Sequence, residues 1–209
     1  MAELIRWTEP LAESNCYLLG ERGRAVVVDP NDPAGPQTLL EQLGWTPDLI
    51  FLTHEHCDHI AGLETLRTCY PQAKTIAAAA CSEGLQSTRL NMSAMMEVYL
   101  AFRGKPDVSY PPFVCRPAEV ACDAPRSFQW QGHRLRCVPL AGHSPGSAGI
   151  FFDDAVLFAG DYLIPGEQTV LRLPGGSEAD YLARAKPFLD ALPAGLRICP
   201  GHGEPYTLN

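Results

Sequence analysis

Three of the six histidines in this 209-residue chain lie within one hexapeptide, HEHCDH at residues 54–59. Imidazole nitrogens suit zinc and iron, and a carboxylate adds a harder oxygen ligand. One tetrahedral site with an open position uses about three protein ligands. The hexapeptide offers more than that, so it indicates two metal ions that share a loop. Its ligand-type residues are His54, His56, Asp58 and His59.

Three further ligand-type residues each follow a short apolar run. His143 lies in the sequence AGHSPG, Asp161 in AGD and His202 in PGHG. The apolar runs predict strands, and α/β proteins place their ligands at the carboxyl ends of strands. We therefore expect these residues to meet the hexapeptide at one edge of a sheet. His133 lies in a predicted hairpin turn without such surroundings, and we interpret it as structural.

The elements that must position these residues are predicted to be strands that alternate with helices. Residues 48–53 predict a strand that leads directly into His54. Its residues 49–52 form an unbroken apolar run, typical of a strand buried on both faces. Residues 15–19 and 24–28 predict two strands of a hairpin. A helix should follow the hairpin and end at Gly44.

The segment 81–126 is the least regular part of the chain and is longer than a simple connection. Within it, residues 91–103 predict a helix that is capped by Asn91. Methionines and a tyrosine recur along one side of this helix. We expect one domain over residues 1–209, with this partly helical insertion as a substrate cover. The expected substrate contacts on the insertion are Met96 and Tyr99.

The composition excludes several classes of protein. Apolar residues make up 46% and charged residues 19%, as in a globular protein. The net charge of −8 argues against nucleic-acid binding, and no apolar run approaches the ~20 residues of a membrane span. Eight cysteines without a CxxC pair, in a chain without an export signal, indicate reduced thiols.

We expect a cytoplasmic protein that acts on a small molecule; the sequence makes no prediction of its oligomeric state. Cys57 is interpreted as a small side chain on a tight loop.

Taken together, the motifs THEHCDH, GHSPG, GD and PGHG resemble those of the metallo-β-lactamase superfamily in order and spacing. The resemblance implies a four-layer αβ/βα sandwich with a dinuclear metal site at one edge. It also implies that Asp29 and Thr53 support the ligand loop from behind. The implied first metal ligands are His54, His56 and His143. The implied second metal ligands are Asp58, His59 and His202, and Asp161 is implied to bridge the two ions.

Within that superfamily the chain is most similar to the glyoxalase II-like branch, through the sequence NCY at 15–17 and LPGGS at 173–177. This likeness implies that a hydroxide bound by two divalent ions cleaves an acyl thioester or ester, with Asp58 orienting the hydroxide. Zinc is the expected metal, and the ligand set also fits iron or manganese. Arg172 replaces a polar residue of the branch and is expected to contact substrate. Because the chain ends seven residues after His202, without the helical domain that binds glutathione, we expect an apolar acyl group instead.

Other activities of the same fold stay open at this stage. A persulfide dioxygenase-like enzyme would use one iron, and lactonase or phosphodiesterase activity would use the same two-metal chemistry. A non-catalytic metal-binding protein is a further alternative. The complete set of seven ligand-type residues favours a hydrolase with two metals.

Overall fold

The structure is a computed structural model that describes residues 2–209, and it contains two six-stranded sheets. The strands of the first sheet lie in chain order, with an antiparallel start and a parallel remainder. Parallel neighbours need long crossovers, and helices occupy those crossovers. The six strands are β1 (Glu3–Thr8), β2 (Asn15–Glu21), β3 (Arg24–Val28), β4 (Thr46–Phe51), β5 (Lys74–Ala78) and β6 (Val120–Cys122).

The last six strands of the chain form the second sheet, in which they also lie in chain order. Its strands pair antiparallel, except for the parallel pair of the tenth and eleventh strands. A helical segment connects that parallel pair, as the geometry of a crossover requires. The six strands are β7 (Arg126–Trp130), β8 (His133–Pro139), β9 (Ala148–Phe152), β10 (Val156–Gly160), β11 (Arg197–Pro200) and β12 (Tyr206–Thr207).

The helices are short and lie mostly in the crossovers. A 3₁₀ turn at Ser93–Met95 precedes the fifth helix, and a π-helical turn at Tyr181–Ala185 joins the last two. No helix within the described residues combines the length and the apolar character that a membrane crossing needs. The helices are α1 (Gly35–Leu43), α2 (Cys57–Ile60), α3 (Leu63–Cys69), α4 (Ala79–Gly84), α5 (Met96–Phe102), α6 (Glu178–Asp180) and α7 (Lys186–Asp190).

The apolar core lies between the two sheets. Tyr17 of β2 contacts Phe158 of β10 with 5.2 Å between ring centroids, and Phe51 contacts Phe128 at 5.5 Å. Nearly every residue of β2 and β9 is buried, so these strands are covered on both faces. The predicted αβ/βα sandwich is confirmed: two mixed six-stranded sheets enclose the core, and helices occupy their crossovers.

Two local predictions are confirmed and one is wrong. The predicted hairpin is the β2–β3 pair, and α1 ends at Gly44, whose φ of 65° is the left-handed conformation that glycine adopts at low cost. The predicted helix over 91–103 starts later, at Met96, because Met92 has a φ of 65° and interrupts the helical path. Asn91 does not cap that helix. Its Oδ1 instead accepts a hydrogen bond from the Ser93 amide at 2.9 Å.

Candidate metal centre

Four of the predicted ligands form one compact group at the end of β4, β8 and β10. Each offers a donor atom that lies within 4.8 Å of the donor atoms of the others. His143 Nε2 lies 3.1 Å from His56 Nδ1 and 3.4 Å from Asp161 Oδ2. Three imidazoles and one carboxylate are a donor set that zinc and iron accept. The group consists of His54, His56, His143 and Asp161.

A second group lies beside the first and consists of Asp58, His59 and His202. The first two residues belong to α2, and His202 lies in the turn after β11. His202 Nε2 lies 3.4 Å from Asp58 Oδ2, and His59 Nε2 lies 3.8 Å from the same oxygen. Two imidazoles and a carboxylate can therefore converge on a second ion.

Asp161 lies between the two groups and faces both. Its Oδ2 is 3.4 Å from His143 Nε2, whereas its Oδ1 is 3.3 Å from His59 Nε2 and 3.6 Å from His202 Nε2. The two oxygens of one carboxylate thus point to different groups, which is the arrangement that a bridging ligand requires. All seven residues that the motifs singled out as ligands are brought together in this way.

Several buried polar atoms of the two groups have no hydrogen-bond partner among residues 2–209. A buried polar atom without a partner destabilises a fold, and native structures contain few of them. These atoms are His54 Nε2, His56 Nε2, His59 Nε2 and Asp161 Oδ1. His59 Nε2 and Asp161 Oδ1 face each other at 3.3 Å, where a cation would satisfy both, so the residues fit divalent ions.

Asp29, as expected from the motifs, lies behind the ligand loop. Its Oδ1 accepts a hydrogen bond from the Thr53 amide at 2.7 Å, and its Oδ2 accepts one from Thr53 Oγ1 at 2.5 Å. The same Oδ2 is 3.2 Å from His59 Nδ1. A carboxylate can only accept, so the His59 proton belongs on Nδ1 and the Nε2 lone pair is free for a metal. Thr53 Oγ1 lies 3.1 Å from His54 Nδ1 and, because its own proton goes to Asp29, accepts a hydrogen bond from that nitrogen. The His54 proton is thereby also held on Nδ1, and Nε2 is left free.

The support of His143 comes from groups that the motifs do not contain. Its Nδ1 donates to the Val170 carbonyl at 2.8 Å, which leaves Nε2 free to face the site. Its amide donates to Tyr162 OH at 3.0 Å, and Tyr162 OH donates to the Leu140 carbonyl at 2.6 Å. Tyr162 directly follows the ligand Asp161, and this position is a weak sequence signal of a role in the site. The Val170 contact uses a backbone carbonyl, for which the sequence carries no signal.

Glu55 links the two ligand loops of the first group, and the sequence did not assign it a role. It is fully buried, and its Oε2 accepts a hydrogen bond from Ser144 Oγ at 2.9 Å. Burial raises the pKa of Glu55 to about 7. Its contact with Ser144, the residue after His143, joins the hexapeptide to the loop at the end of β8.

The electrostatics of the site favour ionised carboxylates; they favour neutral imidazoles at His54 and His56 but a protonated ring at His59. Burial lowers the pKa of His56 to about 3 and that of His54 well below its ordinary value. Burial opposes ionisation of Asp58, but the charges of His59 and His202 outweigh it and lower its pKa to about 2. Burial likewise opposes protonation of His59, yet Asp58 and Asp161 raise its pKa. Neutral imidazole and ionised carboxylate are the forms that bind metals.

A cleft of about 520 Å³ opens over the two groups. One wall is α5 with the turn before it, and the other is the segment 164–173 that follows β10. All three predicted substrate contacts, Met96, Tyr99 and Arg172, line this cleft. Met96 is only 5% exposed, because most of its side chain packs into a small core cluster, whereas Tyr99 is 40% exposed.

Two other residues considered in the sequence analysis, Cys57 and His133, belong to neither donor group. Cys57 is buried, and burial raises the pKa of its thiol, so it is not an activated thiolate. His133 lies at the start of β8, with Nδ1 2.6 Å from Asp153 Oδ2 and Nε2 3.0 Å from Glu21 Oε2. It joins no metal-type group within residues 2–209, in agreement with its interpretation as structural.

Comparisons with known proteins identify the family. The sequence model of the metallo-beta-lactamase superfamily matches residues 10–202. One relative, from Streptococcus pyogenes serotype M6, is described as a probable metallo-hydrolase (M6_Spy0554). It is 27% identical to this chain in an alignment of 213 positions, which covers 100% of this chain and 87% of that protein.

Two solved structures resemble the chain over nearly its whole length. BLEG-1, described as a B3 metallo-beta-lactamase, has a TM-score of 0.83 at 26% identity, over 98% of this chain and 94% of that one. TTHA1623, solved in a di-iron-bound form, has a TM-score of 0.69 at 26% identity, over 97% and 94% of the two chains. This chain belongs to the metallo-β-lactamase superfamily.

Proposed function

We propose that this chain is a metal-dependent hydrolase that cleaves an acyl thioester or ester, with glyoxalase II-like chemistry. The observation that carries the proposal is the sharing of Asp161 by two donor groups at the floor of one cleft. His54, His56 and His143 would hold one ion, and Asp58, His59 and His202 the other. When bound, two divalent ions lower the pKa of water towards about 7 and polarise a carbonyl oxygen.

Zinc is the metal that we propose. Imidazole and carboxylate ligands also suit iron and manganese. The relative TTHA1623 was solved with two iron ions, so iron is the main competitor for this site.

The protein's own contribution to the reaction is to orient the attacking water and to accept the acyl group. Asp58 is ionised at neutral pH and lines the cleft, so its carboxylate can accept a hydrogen bond from that water. The three histidines that line the cleft all belong to the donor groups, which leaves none of them as a free acid. A thiolate leaving group needs little proton assistance, and this favours a thioester over an amide.

The walls of the cleft support an apolar acyl group. Three large apolar side chains that are at least 38% exposed, Met95, Tyr99 and Val170, lie on its two walls. Exposed apolar residues that gather in a cleft are typical of a binding site for an apolar ligand. We propose that the chain is one domain and that the insertion at 81–126 covers this small-molecule substrate; nucleic acid and membrane are not proposed partners.

A substrate panel tests this function. Zinc-loaded protein would be given acyl thioesters and esters of rising chain length, hydroxyacylglutathione, a lactone, a phosphodiester and a β-lactam. We expect the highest kcat/KM on an apolar acyl thioester. A preference for the β-lactam, for which the relative BLEG-1 is named, or for the phosphodiester would overturn the proposal. Oxygen consumption on a persulfide by an iron-loaded chain would favour the dioxygenase alternative.

A further inference from the structure

The asparagine of the NCY sequence has no place in the chemistry described so far. Asn15 is the first residue of β2 and is fully buried, yet its contacts lead to the other end of the chain. We propose that Asn15 is a positioning residue for the second donor group, because it holds the turn that carries His202. The inference rests on the metal centre of the proposed function.

The amide of Asn15 spans the His202 turn. Its Nδ2 donates to the Pro200 carbonyl at 3.0 Å and to the Gly203 carbonyl at 2.8 Å, on either side of His202. Its backbone amide donates to the Gly201 carbonyl at 2.7 Å. Three carbonyls of one four-residue turn therefore accept hydrogen bonds from a single residue.

The chemistry of these contacts requires asparagine. Carbonyls can only accept, so both Nδ2 hydrogens are used and the orientation of the amide is fixed. Its Oδ1 accepts from Thr8 Oγ1 at 2.8 Å, which fixes the other end. Aspartate at this position would point a carboxylate oxygen at two carbonyl oxygens. Leucine would remove the one donor that spans the turn and would leave the Pro200 carbonyl to Tyr17 and the Gly203 carbonyl to Arg6.

The turn itself must keep close to the metal groups. A Cβ on Gly201 would lie 2.5 Å from Asp161 Oδ1 and 2.8 Å from His59 Cε1, so only glycine permits this approach. His202 is 22% exposed in its side chain, whereas His59 is fully buried. His202 is thus fixed less by packing than His59 is, and it depends more on the turn.

The neighbouring residue ties the same segment to a second ligand. Ser14 Oγ donates to the Asp58 carbonyl at 2.6 Å, and the Ser14 carbonyl accepts from Asn31 Nδ2 at 2.7 Å. Two consecutive residues thus hold the backbone of Asp58 and the turn around His202, and both of these ligands belong to the second group. The side-chain hydrogen bonds of Asn15 within residues 2–209 go to Thr8 and the His202 turn, and none goes to the first group. Its loss should therefore weaken one metal site selectively.

The test is a Zn²⁺ titration of the demetallated full chain, followed by calorimetry, for wild type, Asn15→Asp and Asn15→Leu. Removing a group that supports a metal ligand typically weakens metal affinity by about 10- to 100-fold. We expect a Kd rise of that size for the second equivalent and none for the first. The pattern should match that of His202→Ala and differ from that of His56→Ala. Tyr17→Phe, which removes a second donor to the Pro200 carbonyl, should give a smaller rise in the same step.

Thr75→Val is the matched control. Thr75 is also fully buried, and its Oγ1 accepts a hydrogen bond from Arg67 Nε at 3.0 Å, outside both metal groups. It should lower Tm and leave both Zn²⁺ equivalents unchanged.

Four results distinguish this proposal from the proposed function. An Asn15 variant with a lower Tm but two unchanged Zn²⁺ affinities would show a purely structural role and overturn the proposal, as would equal weakening of both sites. A wild-type chain that binds fewer than two equivalents would overturn the metal centre and the proposal together. A chain that behaves as expected in the titration but hydrolyses no acyl substrate would support the role of Asn15 and contradict only the proposed function.

Discussion

Replacement of Asp29 by asparagine should weaken the second metal site at a moderate cost in stability. The carboxylate faces three groups, the amide and hydroxyl of Thr53 and Nδ1 of His59, and both residues are at most 1% exposed. Asparagine keeps one oxygen for the Thr53 amide. The amide nitrogen that replaces the other oxygen can donate to Thr53 Oγ1, which also accepts from His54 Nδ1, 3.1 Å away. The His59 Nδ1 proton then lacks an acceptor.

One buried donor without a partner costs about 1–3 kcal/mol, so Asp29→Asn should lower the free energy of unfolding of the metal-free protein by that amount. Asp29→Ala also leaves the Thr53 amide without an acceptor, so it should lower the free energy of unfolding by about twice as much. That loss is a large share of the free energy of unfolding of a typical domain, which is about 5–15 kcal/mol. In Asp29→Asn the His59 proton is no longer held on Nδ1. The affinity of the second site should therefore fall by about 10- to 100-fold.

Urea denaturation of metal-free protein and a Zn²⁺ titration measure the two effects separately. Asp48→Asn is the matched control, because Asp48 accepts hydrogen bonds from Arg24 and from Trp130 Nε1, outside the metal groups. It should lower stability and leave both Zn²⁺ equivalents in place. An Asp29→Asn variant that binds the second Zn²⁺ with wild-type affinity would refute the argument that Asp29 fixes the His59 ring.

Three further predictions follow from the same contacts. Asp161→Ala should abolish hydrolysis and reduce bound Zn²⁺ below two equivalents by elemental analysis, because one carboxylate faces both groups; two retained equivalents would contradict the bridge. Met95→Ala with Tyr99→Ala should raise KM for an apolar acyl thioester by roughly tenfold with unchanged kcat and metal content, since about 1.4 kcal/mol of apolar contact is lost; an unchanged KM would exclude this wall from binding. The hydrogen bond to Asp153 and the Glu21 carboxylate raise the pKa of His133 in the folded protein. Protonated His133 therefore stabilises the fold at a pH below its unfolded pKa of about 6.5, and this contribution is lost as the pH rises through the higher folded pKa. His133→Ala should therefore destabilise the protein more at pH 6 than at pH 9 in urea denaturation, with metal content unchanged, and an equal effect at both values would contradict the charged pair.

The sequence predicts the metal-type ligands of the site, because their side-chain types and positions are visible in it. Three histidines in one hexapeptide are a strong signal, and the apolar runs before His143, Asp161 and His202 place those residues at strand ends. The fold and the convergence of the seven residues are what the resemblance of these motifs to the metallo-β-lactamase superfamily implies. The extra contacts to substrate that the methionines and Tyr99 suggest stay a prediction.

The parts that the sequence does not predict depend on backbone atoms or on long-range pairing. The Val170 carbonyl that fixes His143 carries no side-chain signal. Asn15 and Pro200 are 185 residues apart, so their hydrogen bond appears only once the two sheets have formed. The late start of α5 depends on the left-handed backbone of Met92, a conformation that methionine rarely adopts.

The central claim is that two metal ions, which share Asp161, are both needed for hydrolysis. The most direct measurement is a titration of the demetallated wild-type chain with Zn²⁺, during which hydrolysis of an apolar acyl thioester is recorded. The two donor groups predict that activity rises until two equivalents per chain are bound and then stays constant. A plateau at one equivalent, or two bound equivalents without hydrolysis, would contradict the claim.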